Sequence, residues 1–395
     1  MRQGTSSEHY FETDASQALR ERRATKAGNK HGDPIVLKSK LQAVTQDPTS
    51  ASHVLVAESA GAVRRLNIET GGTKQVYHGP TAPVTSAAVG GSQNQTLFAG
   101  CWDKDIWSWD LATGAAGRRY SGHSDFVKHI VAVHIGGTAC LVSGGADKKI
   151  MVWEVESGKR LHVLQDHAVS MMAIQYLAVD PVESTADQIV LVSASSDPHL
   201  RRWRIRLDGY EKIQEAAAPG EPEGSTRHAI LEHDTTIYRL AFDVEGDEVD
   251  LWTASGDGTA KCLLRHKGFI ADDTIQHGDH VRAVALVEPW VITAGRDEDI
   301  KVWNRASGKL YCTLDGHYDE VTDLLPLQGG NRVLSVSIDG TVRVWSLKAA
   351  DLDTFKQEQE NRAKGVKKEE PEPAAESLMT AEEEAELAAL MEDDD

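Results

Sequence analysis

An all-β fold of radially repeated four-stranded sheets is predicted for this chain of 395 residues, and three observations predict it. Six segments place an aspartate six residues before an aromatic or apolar strand position: Asp103/Trp109, Asp147/Trp153, Asp197/Trp203, Asp257/Leu263, Asp297/Trp303 and Asp339/Trp345. The surrounding text recurs as AGCWDKDIWSWD, SGGADKKIMVWE, SASSDPHLRRWR, ASGDGTAKCLLR, AGRDEDIKVWNR and SVSIDGTVRVWS, each reading strand, tight turn, strand. The second members of the pairs lie 44, 50, 60, 40 and 42 residues apart, which brackets the period of a propeller blade. A seven-bladed β-propeller with short helical or disordered terminal extensions follows.

Taken in order, residues 1–33 are expected to be a flexible basic arm, with Arg20, Arg22, Arg23, Lys26 and Lys30 set against Glu21. The propeller is expected over 34–350. A degenerate first repeat, HVLVAESAGAVRRLNIETGG, carries Ala60 and Leu66 at the Asp and Trp positions, and Leu66 precedes Trp109 by 43 residues, so the phase holds. The last repeat ends at its third strand, TVRVWSL. Its missing outer strand is expected from PIVLKSK, near residues 34–40, whose pairing closes the ring and removes two open sheet edges. Two insertions, AVDPVESTADQ and LDGYEKIQEAAAPGEPEGSTRH (207–228), are expected as loops on the bottom rim of one blade, the longer one mobile. Residues 351–395 hold sixteen acidic and five basic side chains, more than half of the net charge of −19. Within this tail Thr380 and Glu383 make a capping box. Leu387, Leu390 and Met391 then share one face of an expected amphipathic helix, 380–391, suited to docking on a partner.

These repeats resemble the WD-repeat family over about residues 34–350. In that family a turn His, a second-strand Ser or Thr, the turn Asp and the third-strand Trp form a hydrogen-bonded set inside each blade. The resemblance implies four complete structural sets: His123, Ser143, Asp147 and Trp153; His167, Ser193, Asp197 and Trp203; His277, Thr293, Asp297 and Trp303; His317, Ser335, Asp339 and Trp345. A buried Asp without partners is costly, so these residues are assigned to stability and not to catalysis. Two blades depart from the pattern. The one with Asp257 keeps His233 and Thr253 but has Leu263 for Trp, and the one with Asp103 has Pro80 where the His belongs, so both are expected to lack part of the network.

Chemistry of other kinds finds no support in the text. There is no GxGxxG after a strand, no phosphate loop, no GxSxG and no HExxH, so the chain is read as not an enzyme, with no cofactor and no metal. Cys101, Cys140, Cys262 and Cys312 lack CxxC spacing and are read as reduced core thiols. No run of eighteen apolar residues and no apolar N-terminal segment are present, so an intracellular place, cytoplasmic or nuclear, without a membrane is expected.

What remains is binding. In WD-repeat proteins the commonest contact surface is the top face, built from residues three and five places after the turn His and the one just before the turn Asp. Carried onto this chain, the resemblance implies partner-binding positions at Trp102, Phe126, Lys128, Met172, Tyr238, His280, Arg282 and Arg296. Aromatics with Arg are the usual composition of binding hot spots. The expected function is a non-catalytic protein-interaction scaffold or adaptor in a multi-subunit complex, with the tail as a second contact. Two further classes are an acidic escort for a basic client such as a histone or ribosomal protein, and a non-catalytic subunit of a nucleic-acid-modifying or ubiquitin-ligase complex. The net charge of −19 argues against nucleic acid as the main direct ligand.

Overall fold

Seven antiparallel sheets follow one another around a central channel, each entered at its innermost strand and the first six left at their outermost. The computed structural model describes residues 14–364, apart from 167, 217–221, 223, 224 and 245–247. Blade 1 is Leu41–Gln46, His53–Glu58, Ala62–Asn67 and Thr73–His78. The innermost strands of blades 2 to 7 are Val84–Gly90, Val127–Ile135, Ile174–Val179, Ile237–Phe242, Val281–Val287 and Val321–Pro326. Each packs on the next, and the last packs on the first.

The core lies between blades. Ile135, Val142, Val152 and Leu164 of blade 3 pack with Ile174, Leu191, Trp203 and Ile205 of blade 4, and Leu41, Val54 and Leu66 of blade 1 pack with Leu334, Val336 and Val342 of blade 7. Second strands are covered on both faces, so Ile189–Ser195 is buried throughout and shows no polar alternation.

The ring closes through the N-terminal segment. Ile35 and Val36 pair antiparallel with Val342 and Thr341, and Leu37 N–H donates to Gly340 O at 2.8 Å, so an early segment supplies the outer strand of the last blade. Gly32 is needed there. Its φ is +67°, and a Cβ would lie 2.9 Å from the Trp345 ring.

Two regions differ from expectation. Residues within the segment read as a flexible arm form a helix, α1 (Asp14–Ala27), tied to blades 6 and 7 by charge. The long insertion does not extend a rim loop; it splits the outer strand of blade 4. Tyr210–Lys212 pairs with Trp203–Ile205, and Ile230–Leu231 pairs with His199–Leu200 on the same strand. Between the pieces, Glu215–Ala216 pairs with Thr226–Arg227. Glu215 is buried there against Arg202 at 3.1 Å, a contact that anchors the insertion to the blade.

The chain divides into two compact units, residues 1–352 and 353–395. A second helix, α2 (Ala349–Ala363), begins in the first, where Leu352 is buried. The expected helix 380–391, with Leu387, Leu390 and Met391, lies outside the described residues.

Candidate interaction surface

The blade networks hold the turns of the top face in place. In blade 3, His123 lies 2.9 Å from Asp147 and 2.8 Å from Ser143, whose hydroxyl accepts the Trp153 indole N–H at 2.9 Å. Blade 7 repeats this with His317, Asp339, Ser335 and Trp345. Blade 6 has the ring turned over: Nδ1 of His277 meets Thr293 at 2.8 Å and Nε2 meets Asp297 at 3.0 Å. Burial alone would raise these carboxyls, but the histidine contacts hold them below the usual range, Asp297 at about 2.

Blade 4 is built differently. Trp203 donates to Ser193 as expected, but His167 lies outside the described residues. The fully buried Arg201 is bonded to Asp197 at 3.2 Å and to Asp166 at 2.9 Å. In blade 2, where Pro80 replaces His, the Trp107 indole donates to Asp103 at 2.8 Å, and Trp109 donates to His78 O. Blade 5 lacks only the Trp. His233 meets Asp257 at 2.8 Å and Thr253 at 2.7 Å, and Thr259 donates a further bond to Asp257. Trp107, Arg201 and Lys301 all sit four residues after their turn Asp and bond to it, a second structural position that the aligned repeats display and that sequence reasoning passed over.

Each of the seven innermost strands carries a β-bulge between its first and third residues. A bulge re-aims one side chain out of the pleat. The re-aimed residues are Gln42, Thr85, Lys128, Gln175, Tyr238, Arg282 and Thr322, and all seven line the mouth of a central channel of about 510 Å³. Four are satisfied by the protein. Gln42 donates to Ser59 at 2.8 Å, Gln175 to Ser196 at 2.6 Å, Thr85 to Val127 O at 2.7 Å and Thr322 to Leu41 O at 3.0 Å.

The two cations are not so held. Lys128 Nζ lies 5.9 Å from the centre of the Trp102 ring, and no hydrogen bond or ion pair reaches it among the described residues. Arg282 rests 4.2 Å over the Tyr238 ring. Glu320 lies 3.0 Å from its Nε but off the N–H direction, so the contact is an ion pair without a hydrogen bond. Burial, followed by the charge of Arg282, lowers the Lys128 pKa. Trp102 and Phe126 stack at 4.8 Å, with Trp102 37% exposed. Thus Trp102, Phe126 and Lys128 form one group at the mouth and Tyr238 with Arg282 another. Met172 and Arg296 are exposed and His280 half-buried, and none of the three lines the channel.

Below the mouth, the third residues of four innermost strands make a polar floor that the sequence did not announce. Arg239 of blade 5 forms an ion pair with Asp323 of blade 7, Nη1 to carboxylate 2.7 Å, its Cζ lies 4.6 Å from the Tyr176 ring centre, and Tyr176 packs on His129 at 3.9 Å. Asp323 also accepts the Val44 N–H at 3.0 Å. Burial, with Arg239 nearby, pushes His129 down to about 3, so it stays neutral at physiological pH.

On the outer rim of the same face α1 is seated. Arg23 pairs with Glu298 at 2.8 Å and with Asp319 at 2.9 Å, and Lys26 pairs with Asp299 at 2.9 Å.

Elsewhere, burial pushes the thiols of Cys101 and Cys262 up to about 12 and that of Cys140 to about 11, far from the reactive thiolate. Among the described residues no group of three or more metal-ligating side chains could hold an ion, and no helix is long and apolar enough to cross a membrane.

Seven four-stranded blades, three of them stapled by a complete His–Asp–Ser/Thr–Trp set among the described residues, with the ring closed by an early strand, define a WD-repeat β-propeller. Comparison with known proteins agrees: residues 71–110, 115–154 and 308–346 match the family model described as WD domain, G-beta repeat. The chain is similar to an uncharacterized WD repeat-containing protein of Schizosaccharomyces pombe, 27% identical over 351 residues, covering 86% of this chain and 88% of that protein. It is also similar to nuclear distribution protein PAC1 of Arthroderma otae, 26% identical over 279 residues, and to nuclear distribution protein nudF of Aspergillus niger, 25% identical over 278. Each of these two matches covers 67% of this chain and 57% of the relative.

Proposed function

We propose that this protein is a non-catalytic interaction scaffold that holds a protein partner over the channel mouth and offers its acidic tail, 351–395, as a second contact within a multi-subunit complex. The observation that carries this reading is the exposed Trp102–Phe126 stack set beside two cations that the protein does not hydrogen-bond. Large flat side chains with positive charge, partly desolvated and pre-positioned by bulges, are the composition of binding hot spots. Other WD-repeat chains are similar over most of this one, but their names supply no partner for it.

The reading as an escort for a basic client draws on one feature, the acidic rim of blades 6 and 7, on which the chain's own Arg23 and Lys26 sit. That rim is already occupied in cis, which favours the mouth as the working surface.

Affinity capture with the intact chain, with the Arg282→Glu/Arg296→Glu variant and with a chain lacking residues 351–395 tests the scaffold reading. Charge reversal is expected to abolish capture of top-face partners with a stability change of about 0.5 kcal/mol or less, as for ordinary surface changes. Removal of the tail is expected to lose a different subset. Identical capture by all three chains would place the working surface elsewhere.

A further inference from the structure

Of the seven bulge residues around the channel mouth, four are tied to the protein by hydrogen bonds, Tyr238 is covered by Arg282, and the two cations remain. Lys128 from blade 3 and Arg282 from blade 6 project into the same mouth, close enough for the charge of one to act on the other. A half-buried cation facing a second cation loses hydration and gains repulsion, so the free protein carries an electrostatic cost there. The negative charge nearby relieves it only in part: Asp323 is shared with Arg239 at 2.7 Å and the Val44 N–H at 3.0 Å and acts on Arg282 from below, and Asp125 acts on Lys128 without a hydrogen bond or ion pair. Glu320 pairs with Arg282 at 3.0 Å and offsets part of its charge, but it takes no hydrogen bond, so the Arg282 N–H groups have no acceptor among the described residues. An oxyanion entering between the two cations would remove the repulsion and gain charge-assisted hydrogen bonds.

The surroundings point to where such an anion comes from. The Trp102–Phe126 stack adjoins Lys128 and offers an apolar shelf beside the charged opening. A free ion would make no use of that shelf, whereas an extended peptide would lay a neighbouring apolar side chain on it.

We propose that the channel mouth is a receptor for a single oxyanion carried on a partner peptide, held between Lys128 and Arg282, with an adjacent apolar residue of the peptide resting on Trp102 and Phe126. This deepens the scaffold reading and rests on it. A Glu or Asp carboxylate and a phosphoryl group share the required chemistry, and the peptides used in the test separate them.

The full-length chain is titrated, with ligand-observed NMR as readout, against three peptides, each N-acetylated and C-terminally amidated so that the central side chain carries the only charge: Gly-Leu-Glu-Leu-Gly, Gly-Leu-Gln-Leu-Gly and Gly-Leu-phosphoSer-Leu-Gly. At least one anionic peptide is expected to bind about tenfold or more tightly than the Gln peptide, with the advantage shrinking at high salt. Lys128→Gln and Arg282→Gln should each remove that advantage, Trp102→Ala should weaken all three peptides, and Arg296→Gln should change nothing. Equal binding of the Gln peptide, an undiminished advantage in the Lys128→Gln and Arg282→Gln chains, or no binding of either anionic peptide at about 1 mM would each overturn the proposal. If charge reversal at Arg282 and Arg296 abolishes partner capture while Glu and Gln peptides bind alike, the anion chemistry falls and the scaffold stands. If capture survives charge reversal while the anionic peptide still binds through Lys128, the scaffold reading falls and the site stands.

Discussion

On the rim of blades 6 and 7, Glu298, Asp299 and Asp319 are each met by a cation from α1, whereas at the channel mouth Lys128 and Arg282 share one opening and, among the described residues, no hydrogen bond reaches either. Both regions lie on the same face and both are charged. At the rim, charge is used within the molecule, as a latch for an N-terminal helix. At the mouth it is only partly used: Glu320 pairs with Arg282 at 3.0 Å, and Lys128 has no ion pair among the described residues. Charge that a fold does not use internally, kept half-buried beside exposed aromatics, marks the surface meant for another molecule.

The comparison can be broken most severely from below the mouth. Arg239 and Asp323 bridge blades 5 and 7 across the channel, so this pair belongs to the fold as the rim pairs do, but in a buried setting. Asp323→Ala strands the Arg239 guanidinium and the Val44 N–H, and is expected to cost about 3–5 kcal/mol in urea unfolding. A loss below about 1 kcal/mol would mean that the channel floor is not structurally committed, and the contrast with the mouth would dissolve.

The rim is expected to respond more mildly. Arg23→Glu with Lys26→Glu removes the latch, yet the pairs are partly exposed, with Arg23 at 36%, so global stability should change by about 1 kcal/mol or less. The visible effect is local: amide protection over 14–27 should fall in hydrogen exchange, and salt should do the same to the parent chain. Unchanged protection in the variant would show that something other than charge holds α1.

Much of the architecture could be read before the structure, and the reasons differ from element to element. A repeat advertises itself, because every blade must solve the same burial problem at the same spacing. For that reason the networks around Asp147, Asp297 and Asp339, the degenerate first blade and the closing strand at Ile35–Val36 were all legible. Asp257 shows where template reasoning stops short. Leu263 in place of the Trp predicts a weaker network, but in these sets the indole bonds the Ser or Thr hydroxyl and not the carboxylate, so Asp257 keeps its full set of partners. Arg201 was visible as one of a row of residues four places after the turn Asp, and was missed because the family set has no such member.

The Arg239–Asp323 bridge and the seating of α1 were not legible at all. Their partners are 84 and about 275–296 positions apart and fall outside the repeat register, so no local pattern connects them. The top-face positions occupy a middle ground. Register placed Trp102, Phe126, Lys128, Tyr238 and Arg282 on one surface, but only the bulges aim three of them, Lys128, Tyr238 and Arg282, into the channel mouth, where Trp102 joins them with Phe126 stacked on it. The same register grouped Met172, His280 and Arg296 with them although these stand apart.

The central claim is that the mouth cations serve a partner and not the fold, and the melting temperature of the Lys128→Gln chain tests it most directly. Removing a desolvated cation that has no ion pair among the described residues, with Asp125 acting on it only at a distance, and that faces a second cation is expected to leave the melting temperature equal to that of the parent or slightly above it, by about 0.5–1 kcal/mol of stability. A drop of several degrees, equivalent to about 1 kcal/mol or more lost, would show that Lys128 holds the propeller together and would contradict the account.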